Sequence, residues 1–276
     1  MSGNKLGFRC IPLLFSLLLI ALVACAQSSS STKVPVLSSD PVIHWIQQQY
    51  QVQAQQVYDL LQSNQQPYSN ASSLQQFALV LQNARMIVET ATYLNATTYN
   101  EAIAKYYQRD TFMAENVEWI YEHNAGAHPK IMVWAHNAHI ANDTSYGTQD
   151  GRNMGGELRT HYHQSYLPIG TTLYQGTFRS YTSYPSNKVQ TISPASSNTY
   201  NYTLGRAGLP LYMLDLRTIP SGAVSNWAQS SSIFLLYGLD GQNVSTPVQL
   251  SRWFDVIIHI QKTTPSEYFY ASAPSR

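Results

Sequence analysis

The chain has 276 residues, with 16 Lys and Arg against 15 Asp and Glu, for a formal net charge of +1. Charged residues make up only 11%, against roughly a quarter in an average soluble domain. Polarity comes instead from Ser, Thr, Asn and Gln, and aromaticity from 20 tyrosines. A hydrophobic share of 44% excludes a chain disordered by composition. The lack of a basic excess or charge run leaves no electrostatic footprint for nucleic acid, and the length fits one large domain or two small ones.

The first residues carry Lys5 and Arg9 and no acid, and an apolar run follows from Ile11 to Ala24. A basic start, a short apolar segment and small residues at its end describe a secretory signal. The run is too short for the roughly 20 apolar residues of a spanning helix. Leu22-Val23-Ala24-Cys25 resembles the lipobox of bacterial lipoproteins, in which the chain is cut before the cysteine and the thiol carries a diacylglycerol. That resemblance implies a signal peptide over residues 1–24, lipidation at Cys25 and an exported, membrane-anchored protein. A Ser-rich tether then covers residues 25–39. The other cysteine, Cys10, would leave with the signal, so the domain would hold no disulfide.

A domain is expected over residues 40–270, helical over 40–126 and strand-rich over 127–270. Ile43, Ile46, Tyr50, Val57, Leu60 and Leu61 fall near helical spacing behind Ser39-Asp40 and Pro41, which are start signals. Ser73 to Leu94 repeats the pattern, and a third helix is expected from about Ala102 to His123, closed by Gly126 and Pro129. Lys130 to Ala135 is a short apolar run without alternation, as in a strand buried on both faces. Further strands are expected within Leu167–Tyr181, over Leu211–Leu216 and over Val256–Ile260. Strands alternating with helices predict an α/β fold with sites near the carboxyl ends of strands.

The local signal for chemistry is Trp134-Ala135-His136-Asn137-Ala138-His139, directly after the first expected strand. Histidine titrates near neutrality and suits acid–base work, and Asn can hold an imidazole or a carbonyl oxygen. A zinc site is a second possibility, but zinc takes three or four ligands and no cysteine or carboxylate cluster is nearby. A structural histidine in a turn is the third. His259 reads as a core or edge histidine of its strand, His161 and His163 as solvated, and Arg109-Asp110 as a helix-surface pair unless that helix faces a cleft. Tyr99, Tyr106, Tyr107, Tyr181 and Tyr184 could line a groove for a large apolar ligand.

Six segments in order carry a resemblance. Arg109-Asp110-Thr111-Phe112-Met113-Ala114-Glu115-Asn116, Trp134 to Ile140, and Met154-Gly155-Gly156-Glu157-Leu158-Arg159 are the first three. Gly176-Thr177-Phe178, Leu214-Asp215-Leu216-Arg217 with Trp227, and Phe254-Asp255-Val256-Ile257-Ile258 complete the series. The series resembles the erythromycin esterase family over about Ser39 to Glu267. The resemblance implies an α/β fold with a mainly parallel or mixed sheet, flanking helices and a long helical segment before the Trp134 strand. It implies histidine-assisted attack of water on an ester or macrolide lactone, without a serine nucleophile, required metal or other cofactor. That is an activity of antibiotic response.

Carried over by position, His136 and His139 are the catalytic candidates, and Asn137, Arg109 and Trp134 the substrate-binding ones. The expected partner is a small-molecule ester or macrolide-like ligand, with the membrane reached through Cys25. The family's general base lies in an earlier G-E-x-x-H-G segment, and this sequence contains none; its only Gly-Glu pair is Gly156-Glu157. Losing a base typically costs about 10²–10⁴ in rate. The reading is therefore a hydrolase of reduced or absent turnover, with a non-catalytic surface lipoprotein that binds a ligand or partner as the alternative.

Overall fold

A computed structural model describes residues 41–96, 98–123, 126, 129–142, 153–183, 186–237 and 243–266. The residues read as signal peptide and tether, with Cys25, lie outside these, as do the side chains of Tyr99, Tyr106, Tyr107, Tyr181 and Tyr184. The helical part begins with α1 (Pro41–Ser63), α2 (Gln65–Ala71), α3 (Leu74–Leu94) and α4 (Tyr99–Glu122). Ser73 caps α3 by accepting from the Gln76 amide, and Thr98 caps α4 by accepting from Glu101. These side-chain caps satisfy amides that the first turn leaves without partners. The third helix therefore starts three residues before Ala102, because Thr98 supplies the cap.

A four-residue helix α5 (Asn137–Ile140) and α6 (Met154–Tyr162) follow, then β1 (Ile169–Ser183), β2 (Ser186–Ile192) and α7 (Tyr200–Gly205). The chain closes through β3 (Leu211–Asp215), α8 (Ala223–Gln229), β4 (Ser231–Tyr237), β5 (Asn243–Gln249), α9 (Leu250–Trp253) and β6 (Val256–Thr263). The main sheet has the order β2-β1-β6-β3 and is mixed, since only β1 and β6 run parallel. β4 and β5 form a separate antiparallel hairpin. The fold is α/β, as expected, and no described helix is long and apolar enough to cross a membrane.

One expectation is corrected. Residues 130–135 are not a buried strand: they carry no assigned secondary structure, and Met132 and Trp134 are 92% and 91% exposed. Among the described residues no backbone hydrogen bond joins this segment to a strand. An apolar run reads the same whether or not a neighbouring strand covers it, so sequence could not separate the two.

The core lies on one face of the main sheet. Tyr200 of α7, Phe234 and Leu236 of β4, Trp253, Phe254 and Ile257 form one buried cluster, with Tyr212 and Leu214 of β3 packed against it. His259 is buried on the same face and pairs through Nδ1 with the Thr172 hydroxyl at 2.7 Å, which makes it a satisfied core histidine. A second cluster joins Ala114 of α4 to Met154 and Leu158 of α6, with Ala135 and Ile140 alongside. Arg159 of α6 reaches Asp255 at 2.6 Å and the Asn142 side chain at 2.6 Å. Two of the six motif segments thus meet at the start of β6.

Candidate active site at the 136–139 turn

The 136–139 turn is anchored at its base by Asn137. Its side-chain oxygen accepts from the Thr171 amide at 3.0 Å, and its amide nitrogen donates to the Thr171 carbonyl at 2.7 Å. The primary amide thereby takes the place of a strand neighbour for β1, and both of its ends are occupied. Asn153 adds a second tie, donating to the Ala138 carbonyl at 2.7 Å while capping α6.

His139 is buried against the helical part of the chain. Its Nδ1 lies 2.9 and 3.1 Å from the two carboxylate oxygens of Asp110, and its Nε2 lies 3.1 Å from Nη2 of Arg109. A carboxylate accepts and a guanidinium only donates. The ring therefore carries its proton on Nδ1, and its Nε2 lone pair takes the arginine N–H. Asp110 also accepts from the Met154 amide at 3.3 Å. Arg109 and Asp110 are both buried, which corrects the surface-pair reading: the helix faces inward, and His139 is what it meets.

His136 caps α5. Its Nδ1 accepts from the Ala138 amide at 3.2 Å, so Nε2 carries the proton, and its other partner is the Tyr237 backbone. Burial, with the neighbouring His139 ring as a lesser cause, lowers its pKa from 6.5 to about 4. The ring is neutral at pH 7. The two rings stand 6.4 Å apart, nearly edge to face.

Tyr237 belongs to the β4–β5 hairpin and lines a cavity of about 310 Å³ with Phe178, Thr191, Ser193 and Ser196. Trp134 projects outward. His161 and His163 are exposed, as expected, His161 standing 3.6 Å from Glu118.

The structure thus brings together Arg109, His136, Asn137 and His139, and leaves Trp134 outside that cluster. Sequence reasoning missed Asp110 as a site residue, although its place beside Arg109 was in view. It also missed Tyr237, for which no sequence signal existed, and Tyr93, whose hydroxyl feels the Arg109 charge. Among the described residues no group of three His, Cys, Asp or Glu side chains is placed to hold a metal ion.

The sequence model of the family described as "Erythromycin esterase" matches residues 37–263. The Bacillus subtilis (strain 168) protein "Putative hydrolase YbfO" is 25% identical over 167 residues, covering 58% of this chain and 36% of that protein. A crystal structure of a succinoglycan biosynthesis protein superposes with a TM-score of 0.64 at 28% identity, over 81% of this chain and 52% of that one. A Bacillus cereus protein does so with a TM-score of 0.67 at 26% identity, over 81% and 54%. The chain spans about a third of YbfO's length and about half that of each solved relative.

Proposed function

Because the chain belongs to the erythromycin esterase family, we propose that it is a hydrolase that adds water to the carbonyl of a small-molecule ester or macrolide-like lactone. The observation that supports this reading is the buried Asp110–His139–Arg109 chain of contacts at 2.9–3.1 Å. An imidazole held at one nitrogen by a carboxylate, with its other nitrogen facing a guanidinium, has the orienting group that a general base needs.

In the proposed step, Arg109 turns from His139 to the substrate carbonyl oxygen. The water oxygen bonds to the acyl carbon while its proton passes to His139 Nε2. The acyl C–O bond then breaks, and that proton goes to the departing alkoxide oxygen, leaving acid and alcohol. Asp110 steadies the imidazolium formed between these steps. His136 stays neutral and fixes the turn through Ala138 and Tyr237, Asn137 holds the turn to β1, and Trp134 offers an apolar ring to the substrate.

Purified protein incubated with a macrolide and with an aryl ester tests this. Turnover should fall about 100-fold or more in His139→Ala and Asp110→Asn; turnover equal to wild type in both variants would sink the assignment. The alternative, a non-catalytic binding protein, is favoured by one observation: both ring nitrogens of His136 and of His139 already have partners. It predicts saturable macrolide binding with no hydrolysis.

We also propose a lipid anchor at Cys25, supported by the Leu22–Cys25 segment. Expressed in a bacterium, the protein should partition into detergent, and Cys25→Ser should move it to the aqueous phase. Equal partitioning of both would exclude the anchor.

A further inference from the structure

Helix α1 turns most of its large apolar side chains away from the protein. Ile43, Ile46, Tyr50, Val57 and Leu60 recur at steps of three, four and seven residues, so they share one face, and Trp45 flanks it. Each of these six is at least 44% exposed. Another face of the helix meets α3. There Ala54 is buried, and Gln51 donates to the Thr92 hydroxyl at 3.3 Å and accepts from the Asn95 side chain. An exposed apolar stripe of this length marks an interaction surface.

The stripe carries no charge. From Pro41 to Tyr58 the helix contains no Asp, Glu, Lys or Arg, so no charged partner finds a complement on it. Nor is α1 long and apolar enough to cross a membrane. A helix with an apolar face that cannot span lies in the interface of a bilayer, where tryptophan is also at home. Without the Lys and Arg that draw such helices to anionic lipid, the face suits neutral headgroups.

The chain before the helix points to the same occupant. Only residues 26–40 separate Cys25 from α1, a span of at most about 50 Å when fully extended. An anchor at Cys25 therefore holds the stripe beside a bilayer at high effective concentration, and a face too weak to bind alone suffices. We propose that the outward stripe of α1 lies on the neutral surface of the bilayer that holds Cys25, with Trp45 and Ile46 reaching its hydrocarbon boundary. The proposal rests on the membrane anchor at Cys25 and not on the hydrolase reading.

The test uses the full chain, expressed in a bacterium and reconstituted into phosphatidylcholine vesicles with brominated acyl chains, which quench tryptophan within the bilayer. Emission should be quenched relative to vesicles without bromine, and Trp45→Phe should lose that quenching. Ile46→Glu, which sets a charge in the stripe at an exposed position, should lose it with the helical circular dichroism unchanged. Val224→Glu, at an exposed position of α8, should keep it, and so should the wild type in high salt. A chain that stays out of the vesicles overturns the anchor and this inference together. A chain in the vesicles whose quenching is the same in wild type, Trp45→Phe and Ile46→Glu overturns the inference alone. So does quenching that requires phosphatidylglycerol. Shielding of Trp45 that grows with protein concentration in detergent also overturns it, because the occupant would then be a second copy.

Discussion

His136 shows how one half-buried ring couples the site to pH. Its pKa is lowered from 6.5 to about 4 by burial, so the unfolded chain binds its proton more readily than the folded one. The stability this ring contributes is therefore complete above pH 6.5 and is lost as pH falls through 4. A shift of that size corresponds to about 3 kcal/mol at most. His259 is lowered in the same direction, also by burial. Chemical denaturation between pH 7 and 4 should show this loss. His136→Gln, which keeps a donor and an acceptor but does not titrate, should flatten a large part of it; an unchanged pH dependence would show that the ring does not carry the effect. The sequence placed His136 and His139 side by side in a turn, but it could not say that Asp110 and Arg109 close on His139. That contact joins residues about 30 positions apart and depends on the rotation of α4.

At the scale of elements, the site stands on the packing of α6 over the end of α5. Gly155 makes that approach possible: a Cβ there would lie 2.4 Å from the carbonyl oxygens of both Ile140 and Ala141. Those atoms are backbone and cannot swing aside, so Gly155→Ala must push α5 away from α6. Overpacking of this kind typically costs about 1–3 kcal/mol. The displacement would also pull His139 from Asp110, which the Met154 amide holds from α6. We expect a lower urea midpoint for Gly155→Ala and none for Gly126→Ala, where a Cβ would meet nothing within 4 Å; equal midpoints would refute the close-packing account. The glycine pair after Met154 was visible in the sequence, and so was the helix that follows Ser73, whereas the Thr98 cap that starts α4 was not. The β4–β5 hairpin went unread although the Asp240-Gly241 pair between Ser231–Tyr237 and Asn243–Gln249 is a turn signal, because Asn243–Gln249 is mostly polar and holds Pro247, which weakens its reading as a strand.

For the whole molecule, the long described helices end at Glu122 and the described strands all begin after Pro168. What the sequence could not supply was how the parts join, since side-chain periodicity reports which face is buried but not against what. The join is narrow. The inward face of α4 meets α6 through Ala114, Met154 and Leu158, with Met113 and Val117 at the margin, and the Arg109–Asp110–His139 contacts lie at the same seam. Leu158 is fully buried there. Truncating a buried leucine to alanine costs about 2–5 kcal/mol, and here the loss falls on the element that ties the helices to the sheet. Leu158→Ala should therefore uncouple the two parts. Far-ultraviolet circular dichroism, dominated by the helices, and near-ultraviolet signal from the Tyr200, Phe234 and Trp253 cluster should melt together in the wild type. In the variant the helical signal should melt first. Coincident transitions in Leu158→Ala would mean that the helical part and the sheet unfold as one unit despite the narrow seam, and that the remaining contacts at Asp110 and His139 suffice to couple them.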